Sequence, residues 1–202
     1  IPFKGVDKFK PSGRIANPQI RSCADYPTDG NKEVKSLKDA LKKAGLKDGM
    51  TISTHHHLRN GDQLTNILFD TIHSLGVKNI RWFPSASFPC HSHLIKYLKD
   101  GTIHHIEGIM NGPLGKFTSE GNMKGIGVLR SHGGRYQSIQ DGEVHIDIAA
   151  IAAPTADQFG NANGVNGKSA CGGLGFALAD SEYADNNTAR IVRVNPHVGS
   201  IT

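Results

Sequence analysis

Gly49-Met-Thr-Ile-Ser-Thr-His-His-His-Leu-Arg-Asn-Gly-Asp62 joins a short apolar segment to a loop holding three histidines, an arginine, an asparagine and an aspartate. Met50–Thr54 has the length and composition of a strand. Behind the loop, Leu64, Ile67, Leu68, Ile72 and Leu75 keep the i, i+3, i+4 spacing of a helix face up to Gly76, with Asp62 placed to cap it. Strand, polar loop, helix is the order in which α/β proteins present chemistry, because ligands bind at the carboxyl ends of parallel strands.

Outward from this stretch the alternation continues. Ser36-Leu-Lys-Asp39 has capping-box spacing, and Val34, Leu37, Ala40, Leu41 and Ala44 give one apolar face ending at Gly45. Strands are expected at 79–83, 102–106, 128–131 and 144–153, and short helices at 94–98 and from Pro113. The segment 144–153 alternates at first and then runs apolar, as a strand buried on both faces does. The fold class is therefore α/β, a mostly parallel sheet with helices on both faces. Residues 1–32, rich in Pro, Lys and Gly without periodicity, read as an extended arm, and 33–202 as the domain.

The chain has 202 residues, enough to bury a core, and no apolar run long enough to span a membrane. Its first residues lack a signal-peptide pattern. Cys23, Cys90 and Cys171 are odd in number and widely spaced, which points to reduced thiols and a cytoplasmic protein. A net charge of +5 suits anionic small molecules, whereas the lack of Lys/Arg blocks interleaved with aromatics argues against nucleic acid.

Three loops carry the candidate chemistry. In the first, alternation sends His55 and His57 to one face and His56 to the other. A His-x-His pair can ligate a metal, and Cys90-His91-Ser92-His93 offers a second pair, but no further ligands stand at diagnostic spacing. The same histidines can serve as metal-free hydrogen-bonding groups or as a merely structural cluster. Arg59, Asn60 and Gly61 add anion-binding character. The second loop is Pro154-Thr-Ala-Asp-Gln-Phe-Gly-Asn-Ala-Asn-Gly164, where Phe159, Gly160, Asn161 and Asn163 can face a ligand or form a plain turn. The third is Ser131-His-Gly-Gly-Arg135, with His132, Gly133 and Gly134. Cys171 has no base nearby and reads as a packed small residue, and no nucleophile elbow or phosphate loop is present.

Leu46–Asp62, Ser131–Arg135 and Asp157–Gly164, with Gly112-Pro-Leu-Gly115 and Ala170-Cys-Gly-Gly-Leu-Gly175, resemble the citrate lyase alpha chain, in the same order along the chain. The resemblance implies the NagB/RpiA/CoA-transferase-like fold and a citrate CoA-transferase, in which acetyl-carrier plus citrate gives citryl-carrier plus acetate. It also implies that no cofactor is bound by this chain itself. The reacting thiol belongs to a CoA-like phosphoribosyl-dephospho-CoA arm on the acyl carrier (gamma) subunit, and the lyase (beta) subunit cleaves the citryl product. A homo-oligomer is expected.

On this resemblance His55, His56 and His57 are catalytic, Arg59 binds citrate, and Phe159, Asn161 and Asn163 wall the substrate or pantetheine side. No metal is expected. The family chain has a second, similar half that carries the attacking carboxylate in related transferases, and the join after Asp185 departs from the family. Other readings are a sugar-phosphate isomerase or deaminase of the same fold, a metal-dependent hydrolase built on the His-x-His pairs, and a non-catalytic docking half.

Overall fold

The protein's structure, a computed structural model, describes residues 31–184 and the backbone of 191–194. Most of the expected arm, with Cys23, and the join at 185–190 lie outside the described residues. Helix α1 (Leu37–Lys43) begins where Ser36 Oγ accepts the Asp39 N–H at 3.1 Å, as its spacing predicts. The chain then enters β1 (Thr51–Thr54), α2 (Leu64–Ser74), β2 (Ile80–Pro84) and the short β3 (Ala86–Ser87). A 3-10 turn over Pro89–Leu94 leads into α3 (Ile95–Asp100) and β4 (Ile103–Glu107). After β5 (Ile109–Met110) come α4 (Gly112–Ser119), β6 (Gly127–Val128) and α5 (His132–Gln140). The remaining elements are β7 (Ile148–Ala153), the hairpin strands β8 (Thr155–Ala156) and β9 (Ala162–Asn163), α6 (Gly175–Tyr183) and β10 (Ile191–Val194).

Six strands form one parallel sheet in the order β10-β7-β1-β2-β4-β6. The chain builds outward from β1 through β2, β4 and β6, then returns to place β7 on the other side of β1. This reversal leaves a crevice beyond the carboxyl ends of β1 and β7, where open α/β sheets bind ligands. The triple histidine leaves β1 at that point.

The two sheet faces differ. Ile52, Ile80, Trp82, Ile103, Ile106, Ile148 and Ala150 pack under α1 to α4 with Leu41, Leu68, Phe69, Ile72, Leu98 and Leu114. Phe83 and Ala149 point the other way, into a smaller cluster with Ile139, Val144, Ile146, Ala179 and Ala184 around α5 and α6. Helices thus cover both faces, as the alternation predicts.

Three boundaries differ from expectation. Residues 144–147 are not strand: the Val144 N–H bonds back to Ser138 O at 3.0 Å, and Val144 and Ile146 are buried from a turn that leads into β7. The expected strand at 128–131 shrinks to Gly127–Val128, beyond which Leu129 is 74% exposed. Ser131–Arg135, expected as a loop, is the cap and first turn of α5, with Ser131 Oγ accepting the Gly134 N–H at 3.0 Å.

Gly108 sits where strands β2 and β4 end side by side, and a Cβ there would stand 2.0 Å from the Pro84 carbonyl oxygen. Backbone at a strand end cannot yield as a flexible side chain can. Gly108→Ala is expected to destabilise the fold by about 1–3 kcal/mol, measurable as a lower urea midpoint at unchanged slope.

Candidate active site

The site is built on a buried polar group beneath it. Ser53 and His55 lie on the β1 face covered by α5 and α6. Asp180 of α6 is fully buried and accepts from Arg135 Nη2 of α5 at 2.9 and 3.0 Å. Ser53 Oγ donates to the same carboxylate, and Arg135 Nη2 also donates to Ser53 Oγ at 2.6 Å. The guanidinium lies over the Phe83 ring, 4.7 Å from its centroid. His55 completes the group, with Nε2 2.5 Å from Asp180 Oδ2 and Nδ1 3.2 Å from the Ala150 carbonyl oxygen. Burial works against the charged form of Asp180, yet Arg135 and His55 outweigh it and hold the carboxyl well below the usual carboxylate range.

Above this group the histidines separate. The His57 ring stacks on His55 at 5.4 Å, and its Nε2 is buried without a hydrogen-bond partner. His56 turns toward β2, where Ser85 Oγ accepts its backbone N–H at 3.2 Å and lies 2.6 Å from its Nδ1. Ser85 Oγ, which can both accept and donate, thus fixes the ring through Nδ1 and leaves Nε2 as the nitrogen open to a ligand. The His56 ring stacks on His132 at 5.3 Å and meets Phe176 at 5.0 Å, while His132 and Phe176 are 4.5 Å apart. Phe88 closes the far side of His56 at 5.8 Å.

His132 is the first residue of α5 and Phe176 the second of α6, so two helix N-termini converge on this ring stack, and neither first turn carries an acidic residue. Both His56 and His57 are lowered to about 4. Burial is the main cause for each, followed for His56 by the charges of His132 and Arg59 and for His57 by His55 and His56. At neutral pH both are uncharged imidazoles that can donate or accept a hydrogen bond.

The rest of the first loop is braced. Asp62 Oδ1 accepts the Leu64 N–H and Oδ2 the Thr65 hydroxyl, so the aspartate holds the start of α2. Its Oδ2 also meets His91 Nε2 at 3.1 Å, while His91 Nδ1 accepts the Phe88 N–H. Asn60 Oδ1 accepts the Cys90 N–H at 2.9 Å. Arg59 is exposed and takes a left-handed backbone conformation with φ of 51°, its N–H bonded to the His56 carbonyl. A non-glycine residue held there marks a position that the surroundings over-determine.

A family model for the citrate lyase alpha subunit (CitF) matches residues 30–198. The chain belongs to the citrate lyase alpha-subunit family. It is 39% identical over 150 residues to the citrate lyase alpha chain of Escherichia coli K12, a match covering 74% of this chain and 29% of that one. It is 42% identical over 150 residues to the alpha chain of Klebsiella pneumoniae, covering 74% and 30%. A crystal structure described as the alpha subunit of citrate lyase from Streptococcus mutans in complex with citrate superposes with a TM-score of 0.82 at 33% identity. That superposition covers 98% of this chain and 42% of the other, and it supports the CoA-transferase-like fold. The chain thus spans about 30% of the length of the curated relatives it matches.

For this family member the structure sorts the sequence-stretch candidates by place. His55, His56, His57 and His132 come together, with Arg59 in the same loop. Asn60 is engaged as a brace, and Gly61 ends the 3-10 turn Arg59–Gly61. Gly133 and Gly134 lie in the first turn of α5. The second loop forms its own hairpin: Asn161 bonds Asp157, Asn163 Oδ1 accepts from Val165 and Asn166, Gly160 N–H bonds Asp157 O, and Phe159 is 47% exposed. The second His-x-His pair diverges, His91 to buried Asp62 and His93 to surface Asp70. Among the described residues no group of three or more His, Cys, Asp or Glu is arranged to hold a metal ion, and no helix is long and apolar enough to cross a membrane. Cys171 is half-buried rather than packed away.

Sequence reasoning left Ser85, Phe88, Arg135, Phe176 and Asp180 out of the site. A lone acid inside the apolar run Gly175-Phe-Ala-Leu-Ala-Asp180 was the available signal.

The two lowered histidines make stability depend on pH in a defined window. Their unfolded forms take up protons near 6.5 and their folded forms only near 4, so the unfolded state binds more protons between those values. Stability is therefore expected to fall as pH drops from about 6.5 to about 4. The thermal midpoint of His57→Gln should fall less steeply over that range than that of the unsubstituted protein.

Proposed function

We propose that this chain supplies one wall of a citrate CoA-transferase site, exchanging acetyl for citryl on the thiol of an acyl carrier protein. The observation that carries the reading is the meeting, at the β1/β7 crevice, of uncharged His56 and His57, the Arg59 side chain and the N-termini of α5 and α6. The match to citrate lyase alpha chains, one of them solved with citrate, supports the choice of substrate.

Arg59 offers a planar fork to a carboxylate, and the two helix starts add partial positive charge for the others. In its Nε2-protonated tautomer, with Ser85 donating to Nδ1, uncharged His56 is a neutral donor suited to the oxygen of a thioester carbonyl, where negative charge develops as a carboxylate oxygen adds. A neutral donor also avoids protonating the carboxylates it works beside. His57 Nε2, buried and unpartnered, has a hydrogen bond to give or accept once a ligand is present.

The two carboxylates nearest the histidines, Asp62 and Asp180, are both buried and fully bonded. Neither is free to take up an acyl group, so their role at this wall is structural. The reacting thiol is proposed to arrive on the CoA-like arm of the acyl carrier subunit. Exposed Phe159, with Gly160, Asn161 and Asn163, is proposed to wall its approach. The lyase subunit is the proposed consumer of the citryl product, and assembly into a multi-subunit, homo-oligomeric complex in the cytoplasm follows from the same reading.

Loss of a charge-assisted hydrogen bond is worth roughly 1.5–3 kcal/mol. Arg59→Ala in the full-length chain is therefore expected to raise the KM for citrate about tenfold or more, with a smaller change in kcat. Steady-state exchange assays at varied citrate check this, and an unchanged KM removes Arg59 from the role.

A further inference from the structure

Three elements each contribute one ring to the stack: β1 leads into His56, α5 carries His132 and α6 carries Phe176. The same three elements each contribute a member of the buried polar group: Ser53 from β1, Arg135 from α5 and Asp180 from α6. The spacings are three residues from Ser53 to His56, three from His132 to Arg135 and four from Phe176 to Asp180. On a helix, residues three and four apart lie on one face, so on both helices the ring and the charge share a side, one turn apart.

We propose that Arg135 and Asp180, with Ser53, are positioning residues that set the mutual placement of His56, His132 and Phe176. On this face the fully buried apolar contacts from α6 and its C-cap are the alanines Ala179 and Ala184, set against Phe83, Ile139, Val144, Ile146 and Ala149. Small, smooth residues let a helix slide or rotate by a fraction of a turn at little cost. The Arg135–Asp180 pair does not, because both oxygens of the carboxylate are taken by one guanidinium nitrogen and Oδ2 also by Ser53. Moving either helix unmakes several of these contacts at once in a place that water does not reach. His132 and Phe176 each stand within one helical turn of a residue fixed in this way.

The test uses the full-length chain in its assembled complex. Arg135→Met combined with Asp180→Leu removes both charges together, so that no unpaired charge is left buried and the fold is expected to hold. Two readouts follow: the ring separations in a crystal structure of the variant, and the kcat and KM of acyl exchange. The second rests on the proposed function and the first does not. The expected result is that the His56–His132 and His132–Phe176 separations increase and kcat falls about a hundredfold, while the KM for citrate changes far less, in contrast to Arg59→Ala. An unmoved stack overturns the proposal. A displaced stack with unchanged kcat upholds the positioning role and instead removes the rings from acyl exchange. If the double variant does not fold, Ser53→Ala, which deletes only the hydroxyl, decides by the same separations: a smaller displacement in the same sense supports the proposal, and none refutes it.

Discussion

Asp180 is a carboxylate removed from water, and the arrangement of the second sheet face follows from that. A charge in such a place is tolerated only when its partners come with it, in close geometry. Arg135 and Ser53 are those partners, and they arrive from a different helix and from the central strand. On the first face a large cluster of Ile, Leu, Phe and Trp side chains can hold four helices by packing alone. On the second, a handful of side chains, several of them alanine, could accommodate more than one placement of α5 and α6. The ionic group selects one. A buried pair of this kind adds little to net stability once its desolvation is counted, and on the positioning proposal its contribution here is the choice among packings.

The same group shapes the electrostatics above it. Arg135 and Arg59 place positive charge near His56, and burial disfavours its imidazolium, so the ring is kept uncharged. His57 is kept uncharged by burial and by its histidine neighbours, against the opposing pull of Asp62 and Asp180. On the proposed function, a site that holds several carboxylates gains from this division. The permanent cation and the helix termini attract, while the neutral rings donate directed hydrogen bonds without competing for protons.

The sequence showed the part of the site whose signals are local. A short apolar strand ending in His55, His56 and His57, a capping aspartate and a periodic helix behind it are readable within a single window, and they stand where expected. What escaped has physical reasons. Helix α5 begins with His132, Gly133 and Gly134, and its weakly amphipathic run of Arg, Tyr, Gln and Ser reads as a loop. Its first turn forms because Ser131 caps it and Arg135 is anchored below. Val144 and Ile146 alternate like a strand because a turn can also bury every second residue. His91 and His93 read as a ligand pair under the two-residue period of a strand, but a 3-10 turn with three residues per turn sends positions i and i+2 apart. The Arg135–Asp180 contact spans 45 residues and leaves no local trace at all.

The strand order has a consequence for how such a site comes into being on the ribosome. From β1 through β2, β4 and β6 each new strand lies beside one earlier in the chain, and α1 to α4 pack on a larger cluster that lacks only Ile148 and Ala150 of β7 until then. Strand β7 pairs with β1 across roughly a hundred residues of intervening chain, a late and entropically costly closure. Until it forms, β1 has one open flank and its three histidines face solvent beside an unmade wall. The crevice exists only once residue 180 has been synthesised and docked, so a nascent chain holds most of its core before it has any site to occupy.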